Sequence, residues 1–89
     1  MKEAMFRVSD AIRSTATEDG AILLDIRHGQ ILGLNSMGSA IFQMLKRGLE
    51  PPQIVAEISR EFGTNVSEVQ SDVLEFIESL QKHDVFDVY

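Results

Sequence analysis

The stretch DIRHGQILGLNSMG, residues 25–38, decides how this chain folds. It closes one β-favouring run, turns at His28-Gly29, returns through QILGL and meets a helix-start signal at Asn35 or Ser36. Just upstream, AILLDIR (residues 21–27) is an apolar strand. With a two-residue loop, Ile26 would face Ile31, Leu24 would face Gly33 and Leu23 would face Leu34. Period 2 then groups Ile22, Leu24, Ile26, Ile31 and Gly33 on one face, and Leu23, Asp25, Leu32 and Leu34 on the other. Both faces are apolar, so each needs cover. The return strand, residues 30–34, has only one partner strand in so short a chain, which leaves main-chain donors and acceptors along its other edge.

Working outward, IRSTAT (residues 12–17) is a third β-favouring run. Phe6, Val8 and Ile12 are apolar residues in a polar N-terminal stretch. EDG (residues 18–20) is a turn signal, with Gly20 available for positive φ. Beyond Asn35 the pattern becomes helical. Met37, Ile41, Met44 and Leu45, with Phe42 beside them, form one stripe that ends at Gly48. Pro51 and Pro52 open a second helix, striped by Ile54, Val55, Ile58 and Phe62 and stopped by Gly63. A third is expected from an N-cap at Ser67 with Gln70 in a capping box. Its stripe is Val66, Val69, Val73, Phe76, Ile77 and Leu80, with Lys82 and His83 in the last turn. The order points to an α+β domain, winged helix-turn-helix-like: a three-stranded antiparallel sheet followed by three helices.

Composition narrows the function. Eighty-nine residues, 44% hydrophobic and 25% charged, form one soluble domain spanning residues 1–89. No cysteine is present, which excludes disulfides, thiolate zinc sites and cysteine nucleophiles. No apolar run is long enough to span a membrane and MKEAMFR has no signal-peptide core, so a cytoplasmic protein is expected. A net charge of −6 argues against nucleic acid, because phosphate binding needs clustered cations and the chain offers only the pair Lys46-Arg47.

Catalytic groupings are scarce. His28 reads as a loop residue and His83 as a helix-end cap, and neither has a second ligand at metal-binding spacing. Glu68, Asp72 and Glu75 share a helical side as carboxylates on a solvated face usually do. Ser36 and Ser39 lack a base, and the glycines of HGQILGLNSMG do not match a phosphate loop. No enzyme acting alone, no metal and no cofactor is expected.

The run EDGAILLDIRHGQILGLNSMGSAIFQML resembles the PqqD-like family of precursor-peptide recognition domains from the biosynthesis of ribosomally made, modified peptides. Gly20, Leu24, Asp25, Gly29, Leu34 and Asn35 fill the family's hairpin pattern, followed by a small-residue helix start. PPQIVAEISREFG resembles its second helix, and Asp72, Phe76 and Leu80 keep step with its third. The likeness covers about residues 10–86. Three departures bear on peptide preference rather than fold: QILGL lacks the frequent aromatics, Phe42 stands where tryptophan is common, and HDVF replaces a Gly-Leu-like ending.

The resemblance implies what occupies the open edge. In this family a leader peptide adds as a strand beside the third strand and lies against the third helix, main-chain bonds giving affinity and side-chain pockets specificity. It places the peptide site at Gln30, Ile31, Leu32, Gly33 and Leu34 on the strand and at Asp72, Glu75, Phe76 and Ser79 on the helix. The pocket floor falls either to Leu32 and Leu34 or to Ile31 and Gly33. Phe76 is assigned to the core, with the cleft border as its alternative, and Leu74 to the core, with an exposed anchor as its alternative. The acidic flank of the helix would receive a lysine or arginine of the leader. The implied function is non-catalytic: capture of a leader and its delivery to a modifying enzyme or leader peptidase, as in lasso-peptide pathways. The alternatives are a peptide chaperone for a radical enzyme in a cofactor or thioether-peptide pathway, a winged-helix DNA-binding regulator, and a structural subunit pairing edge to edge with itself. Charge argues against the regulator, since Glu68, Asp72, Glu75, Glu78 and Asp84 crowd the third helix and its end. A monomer or weak dimer is expected.

Overall fold

The computed structural model describes residues 7–86; Phe6 lies outside them. Strands β1 (Ile12–Thr17), β2 (Gly20–Asp25) and β3 (Gln30–Asn35) form an antiparallel sheet in the order β1-β2-β3. Helices α1 (Ser36–Lys46), α2 (Pro51–Phe62) and α3 (Val66–Lys82) follow. This is the expected three-strand, three-helix α+β order.

The hairpin register differs from the expected one. Leu24 pairs with Ile31, Leu23 with Leu32 and Ile22 with Gly33, so the loop holds residues 26–29 rather than two residues. Asp25 explains the longer turn. Its side chain accepts from the backbone N–H of Arg27 at 3.0 Å and of His28 at 3.4 Å, and its carbonyl accepts from Gly29 N–H at 2.8 Å. Gly29 takes φ +65, which glycine adopts without strain. Because the register moved by two residues, each side chain stays on its expected face.

The two faces fare differently. Ala21, Leu23 and Asp25 are buried and Leu32 and Leu34 half-buried beneath the helices, where Phe42, Ile41, Leu45, Ile54, Ile58, Val69, Val73 and Leu80 complete the core. The other face has no cover among the described residues: Ile22, Leu24 and Ile31 are exposed, as is Ile26 in the loop. The expectation that both faces are covered is therefore corrected, because all three helices lie on one side.

Other local expectations also shift. Gly20 does not carry a positive φ; that conformation among glycines belongs to Gly29, Gly48 and Gly63. Gly20 is needed for space instead, since a Cβ there would lie 1.9 Å from the Leu34 carbonyl oxygen. The α3 cap is Asn65, not Ser67: its Oδ1 accepts from Ser67 N–H at 2.8 Å. Two residues earlier in the chain, the same chemistry moves the helix start to Val66, which is exposed rather than in the stripe. Asn35 caps α1 by accepting from Gly38 N–H at 2.7 Å, and Glu50 N–H is satisfied by Gln53 Oε1 at 2.9 Å at the head of α2.

Asp25 does more than shape the loop. It is 2% exposed and also receives Arg27 Nε at 3.2 Å and His28 Nδ1 at 2.8 Å, while Arg27 Nη2 reaches the Asp84 carbonyl at 2.6 Å. The hairpin tip is thereby clasped to the chain leaving α3. The Arg27 side chain and then the His28 side chain hold the Asp25 carboxyl well below the usual carboxylate range, against the opposing effect of burial. A folded-state pKa below the unfolded value of about 3.9 gives stability that is fully present above that value and is lost as pH falls through the folded-state pKa. Thermal melts between pH 6 and pH 2 should therefore show the gap between wild type and Asp25→Asn narrowing below about pH 4. A gap that stays constant with pH would remove this role.

Candidate functional site: an open strand edge facing a helix

Among the described residues the sheet ends at β3, which leaves that edge open. Which main-chain groups it offers follows from one bond: Ile26 N–H donates to the Ala11 carbonyl at 3.1 Å. Successive strand residues direct their N–H and C=O to alternate sides. Ile26, Leu24 and Ile22 therefore bond toward β1, and Asp25, Leu23 and Ala21 toward β3. Their register partners Gln30, Leu32 and Leu34 bond inward to β2. Ile31 and Gly33 are left with N–H and C=O directed outward. They are the strand's free hydrogen-bonding positions.

Side chains sort the other way. Leu32 and Leu34 lean toward the helices and pack against the core, while Ile31 is 71% exposed on the outer face. Of the two floors considered, Leu32 and Leu34 stand on the side where α3 lies. Helix α1 packs on β2, β3 and α2, whereas α3 packs mainly on α2, which leaves a gap between β3 and α3.

A cleft of about 400 Å3 opens beside that gap, lined by Asn35, Met37, Gly38, Ile41, Asp72, Glu75 and Phe76. Three of the four helix residues singled out in the sequence thus meet in one place. Ser79, a turn further on, is exposed and outside the lining, and the strand residues Gln30 to Leu34 lie outside it too, forming the adjoining edge. Phe76 is half-buried and serves both core and cleft. Leu74 is 50% exposed, so its core assignment is corrected: it lies off the buried stripe of Val69, Val73, Ile77 and Leu80.

Sequence reading missed Asn35, Met37, Gly38 and Ile41 as cleft residues. Met37 and Ile41 fall in the apolar stripe of α1, and a cap and a glycine at a helix start carry only local meaning in the sequence. The available signal was Gly38 itself: a Cβ there would lie 3.1 Å from Phe76 Cε1 and 3.2 Å from Asn35 Oδ1, so the small residue lets α3 approach the start of α1.

Asp72 and Glu75 are exposed at the cleft and form no hydrogen bond or ion pair with the described residues. His28 is engaged with Asp25, and His83 Nδ1 with the Ser79 carbonyl at 2.8 Å. Among the described residues no group of three potential ligands is placed to hold a metal ion, and no helix is long and apolar enough to cross a membrane. What the site offers is hydrogen bonding along an edge, an apolar wall and two carboxylates.

Two solved structures share this architecture. One is TbiB1 in complex with the TbiA(beta) leader peptide, 30% identical, with 93% of this chain and 96% of that chain covered and a TM-score of 0.84. The other is a lasso peptide synthetase B1 complexed with the leader peptide, 27% identical, with 97% and 100% covered and a TM-score of 0.81. No curated protein sequence matches this chain. The family model for coenzyme PQQ synthesis protein D matches residues 20–85, from the close-packed Gly20 to the residue beyond the Asp84 clasp. The chain belongs to the PqqD family.

Proposed function

We propose that this chain is a non-catalytic module that captures the leader of a ribosomally made precursor peptide and delivers it to a leader peptidase or modifying enzyme in lasso-peptide biosynthesis. The leader adds as a fourth strand along β3, bonding to Ile31 and Gly33, with its inward side chains above Leu32 and Leu34 and against Asp72, Glu75 and Phe76. Ser79 extends the same wall by a turn. The observation that carries this reading is the open β3 edge facing α3, in a fold shared along nearly its whole length with two chains solved with leader peptides. Holding the leader makes later chemistry on the same peptide effectively intramolecular. The exposed apolar residues Ile22, Leu24 and Ile31 on the outer face support a protein partner there, away from the cleft.

Fluorescence polarisation tests the capture step, using a labelled leader from the precursor gene adjacent to this one, a scrambled leader and a random DNA duplex. Saturable binding at micromolar concentration or below, confined to the true leader, is expected. A folded protein that fails to bind it overturns the reading.

A further inference from the structure

We propose that the cleft reads a two-part determinant in the leader: an apolar side chain seated against Met37, Ile41 and Phe76, and a lysine or arginine near it that pairs with Asp72 and Glu75. The inference rests on the leader-binding reading and specifies its charge requirement.

Docking changes the surroundings of the two carboxylates. Both line the cleft, and neither has a partner among the described residues. In the free protein water solvates them. A strand laid along β3 displaces that water. A carboxylate that loses hydration without gaining a partner opposes binding, so an occupant with only neutral side chains is penalised twice.

Nothing else lining the cleft offsets this. No lysine, arginine or histidine is among the lining residues. The start of α1 contributes a partial positive charge of about half a unit. One of its amides, Gly38 N–H, is already taken by Asn35. The remaining negative charge has to be met by the ligand. The whole chain, at −6, attracts such a cation at longer range as well.

Geometry sets where the cation stands. Asp72 and Phe76 are one turn apart on α3, with Glu75 beside Phe76, so the acidic rim borders the apolar wall directly. A strand carries side chains of one face two residues apart, at roughly 7 Å. The cation therefore belongs two residues from the apolar anchor, on the same face of the strand. Its aliphatic stem can lie along the Phe76 ring while its head remains at the rim.

The test is a selection from a displayed library of random twelve-residue peptides with wild type, Asp72→Lys/Glu75→Lys and Ile31→Pro, each checked for folding by circular dichroism. Wild type should enrich peptides with lysine or arginine two positions from an apolar residue. The charge-reversed variant should retain the apolar anchor and enrich aspartate or glutamate instead. The best wild-type peptide should bind Asp72→Asn/Glu75→Gln roughly fivefold more weakly, and that loss should vanish in high salt. If wild type and the charge-reversed variant enrich the same peptides with no basic residue, the charge requirement is overturned while leader binding stands. If folded wild type enriches no peptide that Ile31→Pro fails to enrich, edge capture falls, and this inference with it.

Discussion

Ile31→Pro is expected to abolish leader binding while leaving the domain folded. The alternation fixed by the bond from Ile26 to Ala11 turns the Ile31 N–H away from β2, so proline there removes no bond of the native sheet. An edge strand tolerates proline at such a position. The Ile31 side chain is exposed on the outer face, so little packing is lost. An incoming strand loses one main-chain donor and meets the pyrrolidine ring where its own backbone should lie. Binding should weaken by on the order of a hundredfold or more, given about 1 kcal/mol for the bond plus the cost of the clash. Leu32→Pro is the informative contrast. Its N–H bonds inward, so it should lower the melting temperature as well as binding. Titration of both variants and Ile31→Ala with labelled leader, alongside thermal melts, separates these effects. An Ile31→Pro protein that folds and binds as wild type would exclude strand addition at this edge.

The second large effect is on stability. Gly20→Ala places a Cβ 1.9 Å from the Leu34 carbonyl oxygen and 2.7 Å from the Asn35 carbonyl carbon. Both are backbone atoms, and no rotamer change relieves the contact. Either β3 moves away from the start of β2 or the turn from β1 opens. Overpacking against backbone at a paired position costs about 3 kcal/mol or more. For a domain of this size that is a fall in melting temperature of roughly 15 °C. The clash sits where β3 passes into α1, beside Asn35 of the cleft, so peptide affinity should fall even at temperatures where the variant is folded. Differential scanning calorimetry with and without peptide measures both, and a melting temperature within a few degrees of wild type would show the close approach to be unnecessary.

Much of the fold was legible because its signals are local and redundant. Proline at the head of α2, glycine after α1 and α2 and the 3.6-residue stripe of α3 each report one thing. The loop length was not legible, because His28-Gly29 looks like a two-residue turn until the Asp25 side chain is seen to accept the backbone of Arg27 and His28. Whether both faces of the sheet are covered depends on which side the helices fold to, and no strand pattern encodes that. The same limit applied to the cleft. Asp72 and Phe76 were visible on α3, but the opposite wall comes from the first turn of α1, whose apolar residues carry the same pattern whether they face a core or a groove. Gly20 shows a subtler limit: its presence in a turn was evident, but the reason for it lay across the sheet on β3.

The extra pair of loop residues in the hairpin has a consequence for how such a chain can diversify. Lengthening or shortening the tip by two residues leaves Leu32 and Leu34 above the core and Ile31 and Gly33 offering their amides outward. A slip of β3 against β2 by one residue would reverse both assignments at once, burying the outward amides and turning the inner leucines to solvent. Residues gained or lost at this tip are therefore harmless where the loop absorbs them and the pairing of Leu23 with Leu32 holds, and only a change that slides the strands by an odd step reverses the edge.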